Sequence, residues 1–544
     1  MTNELQKVKD DLISELNKRI ADKIIEQSNA DLLKKLITNA ETVNEAIMIA
    51  ELGTTYKRTG FHFDKRLEKM TDTIKYFKKN DKLSFTQDTS TGKTVLTHKL
   101  IVGDNYDALL NLLIEYRGEI DVIYIDPPYG KDSMGEFAQT NYDNAITRDN
   151  LLSMLYPRLV LARQLLSEDG VIFCSIDDKN HAYVKGLFDE VFGENSFVTN
   201  ISVQLSTTQG MKVKAAQNGN IVKNGEYILC YSKDGHKDIA KYPLYDLRPK
   251  YDEHYSLYLK KNGEIGQLSE LYDYRFPKDC NSKKPMKLAE AYEKSEEFAD
   301  IVRSHLADIV RSHLADIVRS DKVGYFKTSE ELKNGYWKQV SRNDKEYLLT
   351  LDSNDTIRQL LRLKDSWGKT DGYYQEEGLR KIRGDWWEGF YIDMGNVAKE
   401  GGVDFKNSKK PVRLIQQLVK MSSEKNSIIL DFFAGSGTTG QAVVEQNKDD
   451  DGKRIFILAT SDEKTENTPS GIGTDIAAVR LKNTINDNLA VYDIATVANF
   501  ENTKGKTPFD VIDETLYGQE KLGVNDKIKW VCENFEGTQK KLEK

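Results

Sequence analysis

Ile120-Asp121-Val122-Ile123-Tyr124-Ile125-Asp126-Pro127-Pro128-Tyr129 is the stretch from which the rest of the chain can be read. Residues 122–125 are β-branched or aromatic, carry no charge, and run into two prolines. This predicts a buried parallel strand whose carboxyl end opens into a loop. In an open α/β sheet, ligands bind beyond the carboxyl ends of strands. Pro127 and Pro128 fix φ and have no N–H, so the carbonyls of the loop turn outward. A carboxylate, a backbone acceptor and a flat aromatic face then share one rigid turn. That set suits a planar heteroaromatic amine, with two acceptors for its NH2 protons and a ring to stack on. A Pro-Pro turn that merely caps a strand would use the same four residues, so the choice falls to the rest of the chain.

At 544 residues the chain is too long for a single core and predicts several domains. Hydrophobic residues make up 39% and charged residues 30%, as in an ordinary globular protein. No apolar run is long enough for a transmembrane helix, and residues 1–7 lack the apolar region of a signal peptide, so no membrane partner is expected. Cys174, Cys230, Cys280 and Cys532 form no C-x-x-C pair, which points away from zinc and disulfides and toward a reducing cytoplasm. The net charge of -8 requires any nucleic-acid surface to be local. Residues 88–94 tempt a P-loop reading, but the fingerprint needs glycine where Gln87 stands; a polar hairpin or loop is expected.

Outward from the opening stretch, strands and helices alternate. Residues 1–50 predict three amphipathic helices, either a cap on a catalytic core or a docking surface. Residues 99–102 predict a strand that ends in Gly103-Asp104-Asn105, with a helix after it. One βαβ step is expected to bring Asp104 beside the Asp126 loop, although helix capping would also explain it. A polar loop over 130–148 precedes a helix through 151–166, a strand at 171–176 and a helix at 183–192. The alternation predicts an α/β sheet.

Between about 205 and 404 the alternation breaks. Four of the five tryptophans lie here, interleaved with lysines and arginines that include Lys212, Lys214, Lys283, Lys284, Arg358 and Arg362. Cations for phosphates and rings for stacking are the pattern of a nucleic-acid surface, whereas for any one lysine a solvated face is the simpler account. The octapeptide Ala-Asp-Ile-Val-Arg-Ser-His-Leu occupies 299–306 and 307–314 and recurs in part at 315–320. With Ser295 as cap and no proline or glycine from Ala299 to Lys322, the repeat predicts one helix of about 33 Å. Eight residues overshoot two helical turns by roughly 80°, so its apolar stripe winds, and a helix projecting into solvent is expected. His305 and His313 read as half-exposed helix residues rather than metal ligands, and no metal is expected.

The α/β pattern returns in Ser427-Ile428-Ile429-Leu430-Asp431-Phe432-Phe433, followed by Ala434-Gly435-Ser436-Gly437-Thr438-Thr439-Gly440. Gly435, Gly437 and Gly440 satisfy G-x-G-x-x-G between a strand and a helix, the context in which backbone approaches a nucleotide-like ligand. The next strand, 454–459, leads to Asp462 and Glu463, either of which could bind ribose hydroxyls.

Asp-Pro-Pro-Tyr after one buried strand and Asp-Phe-Phe-Ala-Gly-Ser-Gly-Thr after another, over three hundred residues later, together resemble the β group of DNA amino-methyltransferases. Gly103-Asp104-Asn105, Ser175-Ile176-Asp177-Asp178, Glu226-Tyr227-Ile228-Leu229 and Lys410-Pro411 are similar to smaller motifs of that family. Residues 51–56 and 60–66 resemble the modification (Mod) subunits of Type III restriction-modification systems. The resemblance implies a Rossmann-like α/β methyltransferase sheet with a large α+β insert. Its parts would be an N-terminal helical region (1–95), a catalytic half (96–204), a target-recognition insert (205–404), a cofactor half (405–500) and a C-terminal segment (501–544). It further implies S-adenosyl-L-methionine as cofactor and the N6 amine of adenine in double-stranded DNA as acceptor. The catalytic set would be Asp126, Pro127, Pro128 and Tyr129, acting on a base flipped out of the duplex. Phe433, Gly435, Gly437 and Thr438 would line the cofactor's methionine side, with Asp431 near its amino group. Asp104 and Asn105 would meet its adenine, and Asp462 or Glu463 its ribose. A homodimer and a separate ATP-dependent restriction (Res) subunit are the partners implied. Rival readings are a stand-alone enzyme, on adenine-N6 or cytosine-N4, and a DNA-binding scaffold that recruits a nuclease.

Overall fold

The apolar run that stops at Asp126 is a strand, and it lies in the middle of a ten-stranded sheet. The computed structural model describes residues 2–21, 27–52, 73–87, 95–129, 148–314, 332–342, 345–405, 409–465 and 468–498. The expected loops at 88–94 and 130–147, the stretch 53–72 with most of the Mod-like motifs, and 499–544 fall outside these. The strands are β1 (Thr73–Lys79), β2 (Thr97–Val102), β3 (Ile120–Ile125), β4 (Leu166–Ile176), β5 (Phe197–Gln204), β6 (Gly225–Ser232), β7 (Trp386–Trp387), β8 (Ile428–Asp431), β9 (Ile455–Thr460) and β10 (Asn488–Ala498). Their order across the sheet is β1-β10-β2-β9-β8-β3-β4-β6-β5-β7. From β10 to β4 every neighbouring pair is parallel; β1 and β6 run against their neighbours.

The parallel strands are buried on both faces, as helical crossovers require. Val122, Tyr124, Val171 and Phe173 share a core with Leu414, Ile415 and Leu418 of the helix Val412–Ser422 and Val443 of the helix Thr438–Asp450. The alternating residues Ile123, Ile125, Ile172 and Cys174 are equally buried. The helices α4 (Asn105–Tyr116), α5 (Arg148–Leu165) and α6 (His181–Phe192), packed side by side, supply that second layer. The result is a Rossmann-like, doubly wound sheet, as the alternation predicts. One step differs from the sequence reading. β9 and β8 stand between β2 and β3, so Asp104 is not brought beside Asp126.

The insert carries its own antiparallel sheet of six strands, in the order Lys338–Arg342, Lys345–Leu351, Ile357–Arg362, Ile309–Leu314, Leu257–Leu259, Ile265–Gln267. The expectation of one long repeat helix fails here. The first octapeptide does lie in a helix, Glu296–Ser304, whose Ser295 Oγ accepts the Phe298 N–H at 3.0 Å as expected. The chain turns at 305–308, across the junction of the two copies, and the rest of the second octapeptide is the strand Ile309–Leu314, flanked on both sides. His313 is therefore a strand residue, and His305 closes the helix. The helix is held by local anchors: Asp279 accepts both the Ser295 hydroxyl and the Glu297 N–H, and Phe298 is buried. The second copy has no such cap, and two open strand edges take its β-branched Ile309 and Val310 into full burial. Tertiary context overrides an ambivalent local preference.

Residues 1–65 form a separate compact unit. In it, α1 (Thr2–Ala21), α2 (Gln27–Asn39) and α3 (Val43–Leu52) bury Leu16, Ile37, Ala40, Ala46 and Ala50 between them. Among the described residues, no helix is long and apolar enough to cross a membrane.

Candidate active site

β3 and β8 are hydrogen-bonded neighbours, with Val122 opposite Ile429 and Ile123 opposite Leu430. Their carboxyl ends, bearing Asp126 and Asp431, therefore reach the same sheet edge side by side. From β8 the chain crosses to β9, and from β3 to β4, in opposite directions along the sheet. That divergence is the switch point at which open α/β sheets form their binding crevice.

On the β3 side, Asp126 and Tyr129 meet two residues that sequence reasoning had given no role. The Tyr129 hydroxyl lies 2.9 Å from Asp126 Oδ1 and 3.2 Å from Glu226 Oε2. Lys410 Nζ is 2.5 Å from Glu226 Oε2, 2.7 Å from the Tyr129 hydroxyl and 3.4 Å from Asp126 Oδ1. Its ammonium also stands 5.0 Å from the centre of the Tyr129 ring. Glu226 comes from β6, and Lys410 from the turn entering the helix Val412–Ser422. Asn180, at the start of α6, donates to the Tyr129 carbonyl at 2.8 Å and fixes the far end of the loop. Burial pushes the Asp126 carboxyl up, against the pull of Lys410. Burial also raises Glu226, but the charge and hydrogen bond of Lys410 outweigh it and hold that carboxyl below its usual range. The two anions in turn raise Lys410 despite its burial.

On the β8 side, the glycines build a tight left-handed turn and a close helix contact. Gly435 has φ +50° and Gly437 φ +79°, in the left-handed region that side chains resist. A Cβ at Gly440 would come within 2.6 Å of Leu481 and 3.2 Å of Phe456, so the third glycine allows close helix–strand packing. Asp431 is buried; its Oδ1 accepts the Phe433 N–H at 2.9 Å and its Oδ2 the Thr439 hydroxyl at 2.5 Å. Burial pushes its carboxyl up to about 7. Thr438 commits its hydroxyl to the buried Arg480, 2.7 Å away. Asp104 caps α4 through the Tyr106 N–H at 2.8 Å and pairs with Arg158 at 3.2 Å. Asn105 accepts from Arg158 and donates to the Phe432 carbonyl at 2.8 Å, which ties α4 to the glycine loop. Asp462 and Glu463 follow β9 directly, the first exposed and the second half-buried.

The basic residues fall into two groups. Lys212 and Lys214 lie on the short helix Met211–Gln217, between β5 and β6, and Lys212 donates to Ser206 Oγ at 2.6 Å. Because β5 is parallel to β4, its loop leaves from the Asp126 edge. Lys283, Lys284, Arg358 and Arg362 belong to the insert. Arg358 is paired with Asp352 at 2.8 Å, and the Arg362 Nε is buried.

A sequence model described as DNA methylase, covering N6 and N4 enzymes, matches residues 120–486. The chain belongs to the N6/N4 DNA methylase family. A second model, of an uncharacterised conserved protein, matches residues 2–122. Among N6/N4 relatives, the EcoPI Mod subunit of a Type III restriction-modification enzyme from Escherichia phage P1 is 30% identical over 68% of this chain and 59% of its own length. The StyLTI Mod subunit from Salmonella typhimurium is 28% identical over 68% of this chain and 53% of its own. The Type II methyltransferase M.KpnI of Klebsiella pneumoniae is 26% identical over 72% of this chain and 88% of its own. The chain thus spans about half the length of the Mod subunits it matches, from 47% to 59%.

Proposed function

We propose that the chain methylates the N6 amine of adenine in double-stranded DNA, with S-adenosyl-L-methionine as donor, as the recognition and modification subunit of a Type III restriction-modification system. The observation that carries the reading is the pairing of β3 with β8, which sets the Asp126–Tyr129 loop against the glycine loop at one sheet edge. The glycine side fits the cofactor: backbone N–H groups at the start of the helix Thr438–Asp450 suit a carboxylate, and Asp431 suits an ammonium. When bound, the cofactor supplies a methyl group activated by a sulfonium.

The chain's own residues act on the acceptor. The adenine amine is a weak nucleophile because its lone pair is delocalised into the ring. Asp126 and the Pro127 carbonyl accept its two N–H bonds and turn the lone pair toward the methyl carbon. Tyr129 stacks on the base, which must leave the duplex to enter the loop. With the methyl group taken from the bound donor, which would leave as a neutral thioether, the nitrogen would shed its positive charge by passing one N–H proton toward Asp126. Lys212, Lys214, Lys283, Lys284, Arg358 and Arg362 are the phosphate contacts of this reading, and Asp104 and Asn105 face the cofactor adenine. Asp462 or Glu463 holds its ribose. The protein acts in the cytoplasm as a homodimer and is joined for cleavage by a separate ATP-dependent Res subunit.

The test is labelled S-adenosylmethionine with duplex DNA. Asp126→Ala should lose about 10²-fold or more in rate and keep its cofactor affinity; near-normal turnover would overturn the assignment. A stand-alone methyltransferase is the second reading, favoured by the fuller coverage of M.KpnI. Absence of any Res subunit co-purifying with the tagged protein from its host would support it.

A further inference from the structure

Asp126 has an unusual difficulty. The proposed reaction needs its carboxylate charged and able to accept from the amine, yet it is surrounded by groups that oppose a charge. Tyr124 on its own strand, Cys174 on β4, Glu226 on β6 and Asp431 on β8 all face it and can only be neutral or negative. Among the described groups facing it, Lys410 is the cation. The position of that cation is informative. It is 3.4 Å from Asp126 but 2.5 Å from Glu226, so its tight bond goes to the second carboxylate. Among the described residues, the contacts of Lys410 and Tyr129 with Asp126 fall on Oδ1.

We infer that Lys410, tethered by Glu226, is a positioning residue for methyl transfer: it sustains the charge of Asp126 through Oδ1 and leaves Oδ2 to the target amine. Glu226 is the second half of the device. Without it, the ammonium would close directly onto Asp126 and compete with the base for the carboxylate. At 3.4 Å and out of water, the ammonium supports the carboxylate by its charge and by a long hydrogen bond that falls on Oδ1. The same tether holds the Tyr129 hydroxyl between two acceptors.

The inference rests on the reading of Asp126 as acceptor of the target amine, and its test separates the two. Single-turnover methylation of duplex DNA by the full chain is followed against pH, with cofactor affinity measured calorimetrically for each variant. Lys410→Met should move the acid limb of the rate profile upward by roughly 1 pH unit or more, because Asp126 then protonates more easily. Glu226→Gln should move it downward and lower the plateau, because Lys410 then closes onto Asp126. Lys410→Arg should return the limb toward its original position. Cofactor affinity should stay unchanged throughout. A residue that only held the fold together would not shift the limb in opposite directions in two variants. Unmoved limbs, shifts of the same sign, or cofactor binding lost along with the rate would overturn the inference. If Lys410→Met does not fold, Glu226→Gln decides alone, and a limb that fails to move down refutes it. An active Asp126→Ala enzyme would instead remove the underlying reading of the site.

Discussion

Asp431 holds the glycine loop and ionises close to neutral pH, two properties that a single substitution can separate. Its folded value of about 7 lies above its ordinary 3.8, so the folded state keeps the proton between them. Stability therefore falls as pH rises from about 4 to about 7 and is level above. Cofactor affinity should run the other way, strengthening as pH rises through about 7, because an ammonium ligand favours the ionised carboxylate. Asp431→Asn keeps an acceptor for the Phe433 N–H but has no charge to gain, so its calorimetric affinity should be weaker and flat over that range. Gly435→Val meets a φ of +50° and puts a side chain where backbone must approach the ligand; calorimetry should show no cofactor binding. The residues of both loops were legible because proline and glycine leave a mark at fixed spacing. Lys410 and Glu226 stood in motifs that could be recognised, but no local pattern could say that they converge on Asp126. Their partner lies 281 residues away for Lys410 and 97 for Glu226, counted to Tyr129.

The strands and helices around the site could be read from apolar runs and turn residues, and β3, β8 and β9 formed within a few residues of their expected bounds. The octapeptides could not. Periodicity assigns one structure to one sequence, whereas here the Ile-Val-Arg-Ser of the repeated octapeptide is helix in the first copy and strand in the second. The long projecting helix fails because the second copy fills the gap between the strands Leu257–Leu259 and Ile357–Arg362. Val310→Asp should therefore unfold the insert, since it sets an unpaired charge in a fully buried position. Deleting 307–314 is the more informative change. The next unit, 315–322, then follows the first helix and offers the same Ala-Asp-Ile-Val-Arg-Ser to the same sheet position; only His313 and Leu314 are replaced, by Asp321 and Lys322. Thermal melting should show a modest drop for the deletion and a large one for Val310→Asp. Equal losses would mean that the third unit cannot take the place of the second.

At the scale of the molecule, alternation of strands and helices gave the doubly wound class, and the two motifs gave the order of its halves. The neighbours of β2 were misread, because a βαβ step fixes handedness but not how many strands lie between its two ends. Four adjacent strands of the ten, β3-β4-β6-β5, are built from residues before 233, while β2 waits for β9 and β10. Contacts so distant in sequence fold slowly. In refolding from denaturant, secondary structure should recover in early phases, and cofactor binding only in the slowest. Stopped-flow circular dichroism compared with a fluorescent cofactor analogue would check this; simultaneous recovery would count against it. The same pairing bears on how the protein is made. On the ribosome, β3 emerges about three hundred residues before β8, its partner on one side. At roughly 5–20 residues per second, that open hydrophobic edge waits for about 15–60 s. For that interval the nascent chain presents an unpaired strand edge to its surroundings, a ready template for pairing with another chain.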